Sequence, residues 1–127
     1  MEKLPLSAIL VVYNEEKRIE NILNCLALCK EIIIVDKSST DNTKVISKKY
    51  TNLVITTPYS DAGQEVQLAL TKATQEWILT LTASSLIHPK VFHQLKPLMN
   101  DSTFNFDIIE LPYSIMAFGI LSKSSPW

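Results

Sequence analysis

Glycine is scarce in this sequence. The 127 residues contain two, Gly63 and Gly119, so neither G-x-G-x-x-G nor G-x-x-x-x-G-K-[ST] can be present, and glycine-loop dinucleotide and P-loop phosphate sites are excluded. Metal-ligating residues are few as well. Cys25 and Cys29 lie four apart in a helical pattern, where they share a face without good disulfide geometry. The two histidines, His88 and His93, stand far along the chain at a spacing that matches no common zinc pattern. Both thiols are therefore expected to be reduced core residues, with no zinc. Neither sign of charge is in excess. Twelve Lys and Arg oppose thirteen Asp and Glu for a net charge of -1, which gives no basis for binding nucleic acid. Long apolar runs are absent too: the longest, residues 111–121, falls well short of the roughly 20 needed to span a bilayer as a helix. Met1-Glu2-Lys3-Leu4-Pro5 has no basic segment leading into an apolar stretch, so no secretory signal and a cytoplasmic location are expected.

What the chain does contain is alternation. Leu6 to Tyr13 is a continuous β-branched and aliphatic stretch of the kind buried on both faces of a sheet, followed by a helical pattern over residues 15 to 29 with Ile19, Ile22, Leu23, Leu26 and Cys29 on one stripe. Glu31 to Asp36 reads as a second buried strand, and the polar turn from Lys37 to Asp41 leads into a helix carrying Val45, Ile46 and Tyr50. The pattern recurs with a strand over Leu53 to Thr56, a helix over Ser60 to Thr74 with Val66, Ala69, Leu70 and Ala73 inward, and a strand over Trp77 to Thr82. Pro89 then stands at a first helical position before Phe92, Leu95 and Met99, and Asp107 to Leu111 reads as a fifth strand. Near-continuous apolar strands alternating with helices imply a single α/β domain over 1–127, an open, doubly wound, mostly parallel sheet with helices on both faces.

In such sheets ligands bind at the carboxyl ends of strands, beside the point where strand order reverses. Three segments fall there: Tyr13-Asn14-Glu15-Glu16, Asp36 to Asp41, and Thr82-Ala83-Ser84-Ser85. Asn14 suits a helix cap, and Glu15 and Glu16 suit the positive end of a helix dipole. Asp36 closes an apolar strand, where a carboxylate either organises the turn or accepts from the N–H groups of a ligand.

The run L-S-A-I-L-V-V-Y-N-E-E, followed by E-I-I-I-V-D-K-S-S-T-D-N-T and E-W-I-L-T-L-T-A-S-S, resembles the nucleotide-sugar-binding half of family 2 glycosyltransferases over roughly Leu4 to Met99. The resemblance implies a GT-A-type fold. It also implies that Tyr13, Asn14, Glu15 and Asp36 hold a nucleoside, Asp36 through the uracil edge, with Ser38 in the same pocket. Two departures bear on chemistry. The family usually carries D-x-D after strand four to position a divalent metal, and this chain has Thr82-Ala83-Ser84; neutral hydroxyls are poor ligands for hard Mg²⁺ or Mn²⁺. In the third helix, where relatives carry a basic residue, this chain has Val66. No candidate base for deprotonating an acceptor is found, Asp107 and Glu110 reading as strand-flanking acids.

The expectation is therefore a degenerate or truncated family 2 glycosyltransferase-like domain that binds a uridine nucleotide or nucleotide sugar, with no metal and no catalytic residue of its own. An active transferase completed by a partner chain is the alternative. A phosphoacceptor receiver domain is a further one, weakened by Thr56-Thr57-Pro58 and Leu111-Pro112 where that fold needs an Asp and a Lys. Residues 111–121 either complete the core or form a contact with another chain.

Overall fold

A computed structural model of the chain describes residues 2–58, 63–101, 108, 109 and 111, together with the backbone of 115–117 and 120–122. Four strands form one parallel sheet: β1 (Leu4–Val12), β2 (Cys29–Asp36), β3 (Val54–Thr56) and β4 (Trp77–Leu81), in the order β3-β2-β1-β4. The chain moves outward from β1 through β2 to β3, then crosses back to place β4 on the far side of β1. The order thus reverses between β1 and β4, as the alternation predicts. In the β1–β2 ladder Leu10 pairs with Ile34 and Val12 with Asp36, and in the β1–β4 ladder Leu10 pairs with Leu81.

The side-chain period of two divides the strand residues between two cores. Leu4, Leu6, Ala8, Leu10, Val12 and Ile34 face α1 (Ile19–Cys25) and α4 (Pro89–Met99), against Ile22, Leu23, Leu26, Phe92 and Leu95. Ile9, Ile33 and Val35 face α3 (Gln64–Leu70) through Ala69. A short α2 (Thr43–Ser47) packs beside α1, and Ile46 reaches the first core. Burial on both faces is why β1 and β2 tolerate unbroken aliphatic runs, each buried aliphatic side chain contributing roughly 1.5–3 kcal/mol.

Several boundaries differ from expectation. The first helix is seven residues long. A 3₁₀ turn over Leu26–Leu28 ends it, and Cys29 opens β2, where pairing with Leu4 outcompetes the helical stripe. The third helix begins after Gly63, whose φ of 66° suits glycine, and ends at Leu70, which is exposed, as is Val45 in α2. Ile108, Ile109 and Leu111 lie outside any strand; Asp107 and Glu110 lie outside the described residues. Within 111–121, β5 (Ile115–Ala117) pairs antiparallel with β6 (Ile120–Ser122) as a separate two-stranded sheet, so this hairpin does not extend the main one.

At the amino ends of the strands, the buried Ser7 hydroxyl and the amide and hydroxyl of Thr74 all donate to the Glu31 carboxylate, tying β1, β2 and the turn before β4. Burial pushes the Glu31 pKa up, and these three hydrogen bonds more than offset it, leaving it below the ordinary 4.5.

Ile34→Ala is expected to cost about 2–5 kcal/mol in urea unfolding, whereas Leu86→Ala, at a position 71% exposed, stays within about 0.5 kcal/mol. Both cysteines are free, and burial, partly offset by the nearby Lys3 charge, pushes the Cys29 thiol up to about 12. In thiol-labelling experiments on the native protein Cys25 should react first, with Cys29 reacting only on unfolding.

Candidate functional site at the carboxyl ends of the strands

Beyond Val12 and Asp36 the chain leaves β1 and β2 through two loops that grip each other. Three successive amides of the first loop donate to side chains of the second: Asn14 N to Ser39 Oγ (2.9 Å), Glu15 N to Thr43 Oγ1 (2.7 Å) and Glu16 N to Asp41 Oδ2 (3.2 Å). Two amides of the second loop return the exchange, Thr40 N to Asn14 Oδ1 (2.8 Å) and Asn42 N to Glu16 Oε2 (3.0 Å). Asn14 and Ser38 hold positive φ angles of 50° and 61°. Asn visits this region readily; Ser does so at a cost of roughly 1–2 kcal/mol, offset here by Ser38 Oγ donating to the Thr57 carbonyl at 2.6 Å.

These bonds define what each sequence-expected residue does. Asn14 does not cap α1, whose N-cap is Arg18 without a side-chain bond; its side-chain oxygen accepts from the Thr40 amide of the second loop. Glu15 is held by Arg18, with Oε2 to Nε at 2.8 Å and Oε1 to Nη2 at 2.9 Å. Glu16 serves α2 rather than α1, accepting from Asn42 at that helix's N-cap. Asp36 is 1% exposed and receives both the amide (3.0 Å) and the hydroxyl (2.5 Å) of Ser39, so its carboxylate organises the turn. Of the five expected nucleoside-holding residues, Tyr13 is a large side chain at 40% exposure.

The third segment ends β4. Thr82 Oγ1 lies 3.0 Å from Ser84 Oγ and 3.1 Å from Ser85 Oγ, three neutral hydroxyls bonded to one another. Among the described residues no group of three or more His, Cys, Asp or Glu converges on a point that could hold a metal ion. These hydroxyls supply none of the negative charge that hard divalent ions draw from carboxylates.

One charged pair at this end carries no sequence signal beyond its two opposite charges. Lys37 Nζ lies 3.8 Å from Glu65 Oε1, with the two side chains only 15% and 6% exposed. Lys37 follows β2 and its amide donates to the Val12 carbonyl at 2.9 Å, which sets it beside Tyr13; Glu65 sits in the first turn of α3. The cross-loop roles of Ser39 and Thr43 were also not anticipated, although an Asp three residues before a Ser, and Asp41 two before Thr43, are Asx-turn signals.

The profile for "Glycosyl transferase family 2" matches residues 7–124. The chain belongs to that family. It is 28% identical over 120 residues to the lipopolysaccharide core biosynthesis glycosyltransferase LpsC of Rhizobium meliloti, covering 89% of this chain and 44% of that protein. An uncharacterized glycosyltransferase of Rickettsia bellii is 32% identical over 79 residues, 61% of this chain and 27% of that one. Among solved structures, S. aureus TarS in complex with UDP superposes with a TM-score of 0.63 at 27% identity, over 79% of this chain and 32% of that one. Glucosyl-3-phosphoglycerate synthase from Mycobacterium tuberculosis, solved with Mn²⁺, UDP and glucosyl-3-phosphoglycerate, shares the fold with a TM-score of 0.62 at 21% identity, over 76% and 40%. The chain thus spans less than half the length of these relatives. Family membership sets aside the receiver reading.

Asn14→Ala removes the acceptor of the Thr40 amide and places Ala at φ 50°, so a loss of roughly 1–3 kcal/mol is expected, while Asn14→Gly, relaxed at that angle, loses less; urea midpoints compare them. Burial pushes the Asp41 pKa up, and hydrogen bonds from the Thr43 hydroxyl, the Thr43 amide and the Glu16 amide more than offset it, so it lies below the ordinary 3.8. A depressed carboxylate contributes stability that is complete above its unfolded pKa and fades as pH falls through the native one. Thermal midpoints should therefore decline with acidification below pH 3.8 through this group, and less steeply in Asp41→Asn.

Proposed function

We propose that this domain recognises a nucleotide or nucleotide sugar, uridine-bearing in the first instance, at the carboxyl ends of β1 and β2, and that it does so without metal-dependent glycosyl transfer. The observation that carries the reading is the reciprocal bonding of the two loops beside Tyr13, which is 40% exposed. It fixes both loop backbones before any ligand arrives, at the same end of the sheet as Thr82 to Ser85, which has hydroxyls where a metal would need carboxylates. Pre-ordered loops lower the ordering cost of binding. Family membership and the UDP complex of TarS support nucleotide recognition.

Transfer makes a further demand. A nucleoside diphosphate leaving group develops negative charge, and a metal stabilises that by several kcal/mol. On this reading the domain has lost that contribution and retains binding. A second reading is an active transferase completed by a partner chain, which would supply the acceptor site and the missing charge.

Calorimetry with UDP and a UDP-sugar is expected to give binding whose affinity is the same in Mn²⁺ and in EDTA, with no release of UDP from the sugar donor. The double substitution Thr82→Asp, Ser84→Asp should make binding tighten with Mn²⁺. Mn²⁺-dependent binding and turnover by the unmodified protein would overturn the proposal.

A further inference from the structure

We infer that a cavity at the amino ends of β1, β2 and β3 binds a phosphomonoester through Lys3 and Lys30, at the opposite end of the sheet from the loops described above. Lys3 precedes β1, Lys30 is the second residue of β2, and residues 50–53 lead into β3; all of them line this cavity of about 270 Å³. Leu4 pairs with Cys29, so the parallel register brings the residue before the one and the residue after the other to the same corner of the sheet. The volume equals that of about nine waters at roughly 30 Å³ each, room for a phosphate and a small substituent. Sites for larger ligands run to roughly 300–1,000 Å³.

The polar groups of the lining divide by whether the fold already uses them. The Tyr50 hydroxyl lies 3.1 Å from both Glu20 Oε1 and Asn24 Oδ1, and Thr51 Oγ1 donates to the Ile32 carbonyl while accepting from the Leu53 amide. Glu31 accepts from Ser7 and Thr74. Lys3, Lys30 and Asn52 are exposed, and among the described residues their side chains have no hydrogen bond or ion pair. What the cavity has left to give is two ammonium groups and one amide. Cys29, also in the lining, adds no negative charge, because burial keeps its thiol protonated. Glu2, next to Lys3 in the chain, is exposed and makes no ion pair with it. Like charges brought together at strand ends repel, so the two lysines do nothing for the fold that an anion would not improve. Lys48 and Lys49, exposed at the carboxyl end of α2 just before Tyr50, strengthen the positive field at this corner. A phosphomonoester matches the pair in charge, carrying about −1.5 to −2 at neutral pH, and its oxygens accept charge-assisted hydrogen bonds.

The test is a titration of the isotope-labelled 127-residue chain with glycerol 3-phosphate, followed through its backbone amide resonances, with glycerol and acetate as controls. A second arm measures sedimentation with phosphatidylcholine vesicles that contain either phosphatidic acid, a monoester headgroup, or phosphatidylserine, a diester of equal molar content. The expected result is saturable movement of the Lys30, Thr51 and Asn52 resonances by glycerol 3-phosphate, none by glycerol, and weaker movement by acetate. Lys3→Met and Lys30→Met should each weaken binding roughly 10-fold, whereas Lys90→Met, at an exposed position on α4, leaves it unchanged. Should a Met variant fail to fold, Lys3→Gln and Lys30→Gln give the same comparison. Binding of glycerol 3-phosphate assigns a free ligand, and selective binding of phosphatidic acid vesicles, lost in the same variants, assigns a headgroup; either supports the inference. It is overturned if neither probe binds, if acetate or phosphatidylserine does as well, if both variants bind normally, or if the shifts fall on residues 13–16 and 37–43 instead. None of these outcomes bears on nucleotide recognition at the other end of the sheet, which UDP titration tests separately.

Discussion

The reciprocal hydrogen bonding between the loops that follow β1 and β2 is the constraint on which the site depends. Five amides, three from the segment after β1 and two from the segment after β2, find their acceptors on side chains of the other segment. Each such bond contributes on the order of 1 kcal/mol net. The arrangement over-determines the backbone, which is how Asn14 and Ser38 persist at positive φ. It also links the ends of three strands, because Thr57, just past β3, donates its amide to Asp36 and accepts from Ser38.

This constraint has a chemical consequence. Side chains that a reading of motifs assigns to a ligand are here committed to the protein: Asn14 to Thr40, Glu15 to Arg18, Asp36 to Ser39. The same framework places Tyr13 and the Lys37–Glu65 pair beside these loops. On the far side of β1 the strand end offers alcohols in mutual contact, and the site is electrostatically lopsided, with its charged pair on the β2 side and a neutral rim at β4.

The parallel sheet, its order and the switch point could be read from the chain because β1 and β2 are buried on both faces, which leaves unbroken aliphatic runs between helical stripes. Local competition blurred the boundaries. Cys29 satisfies a helical period but gains more from pairing beside Leu4, and Leu70 fits the stripe of α3 although Ala69 carries the contact. That the three segments meet at one end of the sheet followed from topology, whereas the hydrogen-bond partners of their side chains did not. Whether Asp36 faces a ligand or its own turn depends on which side of the strand it occupies and on Ser39 closing over it, and a partnership such as Lys37 with Glu65 exists only once α3 is laid across the sheet.

Position within the sheet also sorts the molecule by persistence. β1 is flanked by parallel partners on both sides and nearly all of its residues are buried, so its amides exchange with solvent only when the whole domain opens. α2 has five residues and α1 seven, both too short to hold without their packing, and they open in smaller excursions. The central strand therefore has the lifetime of the fold, while the two short helices beside it open on a shorter clock.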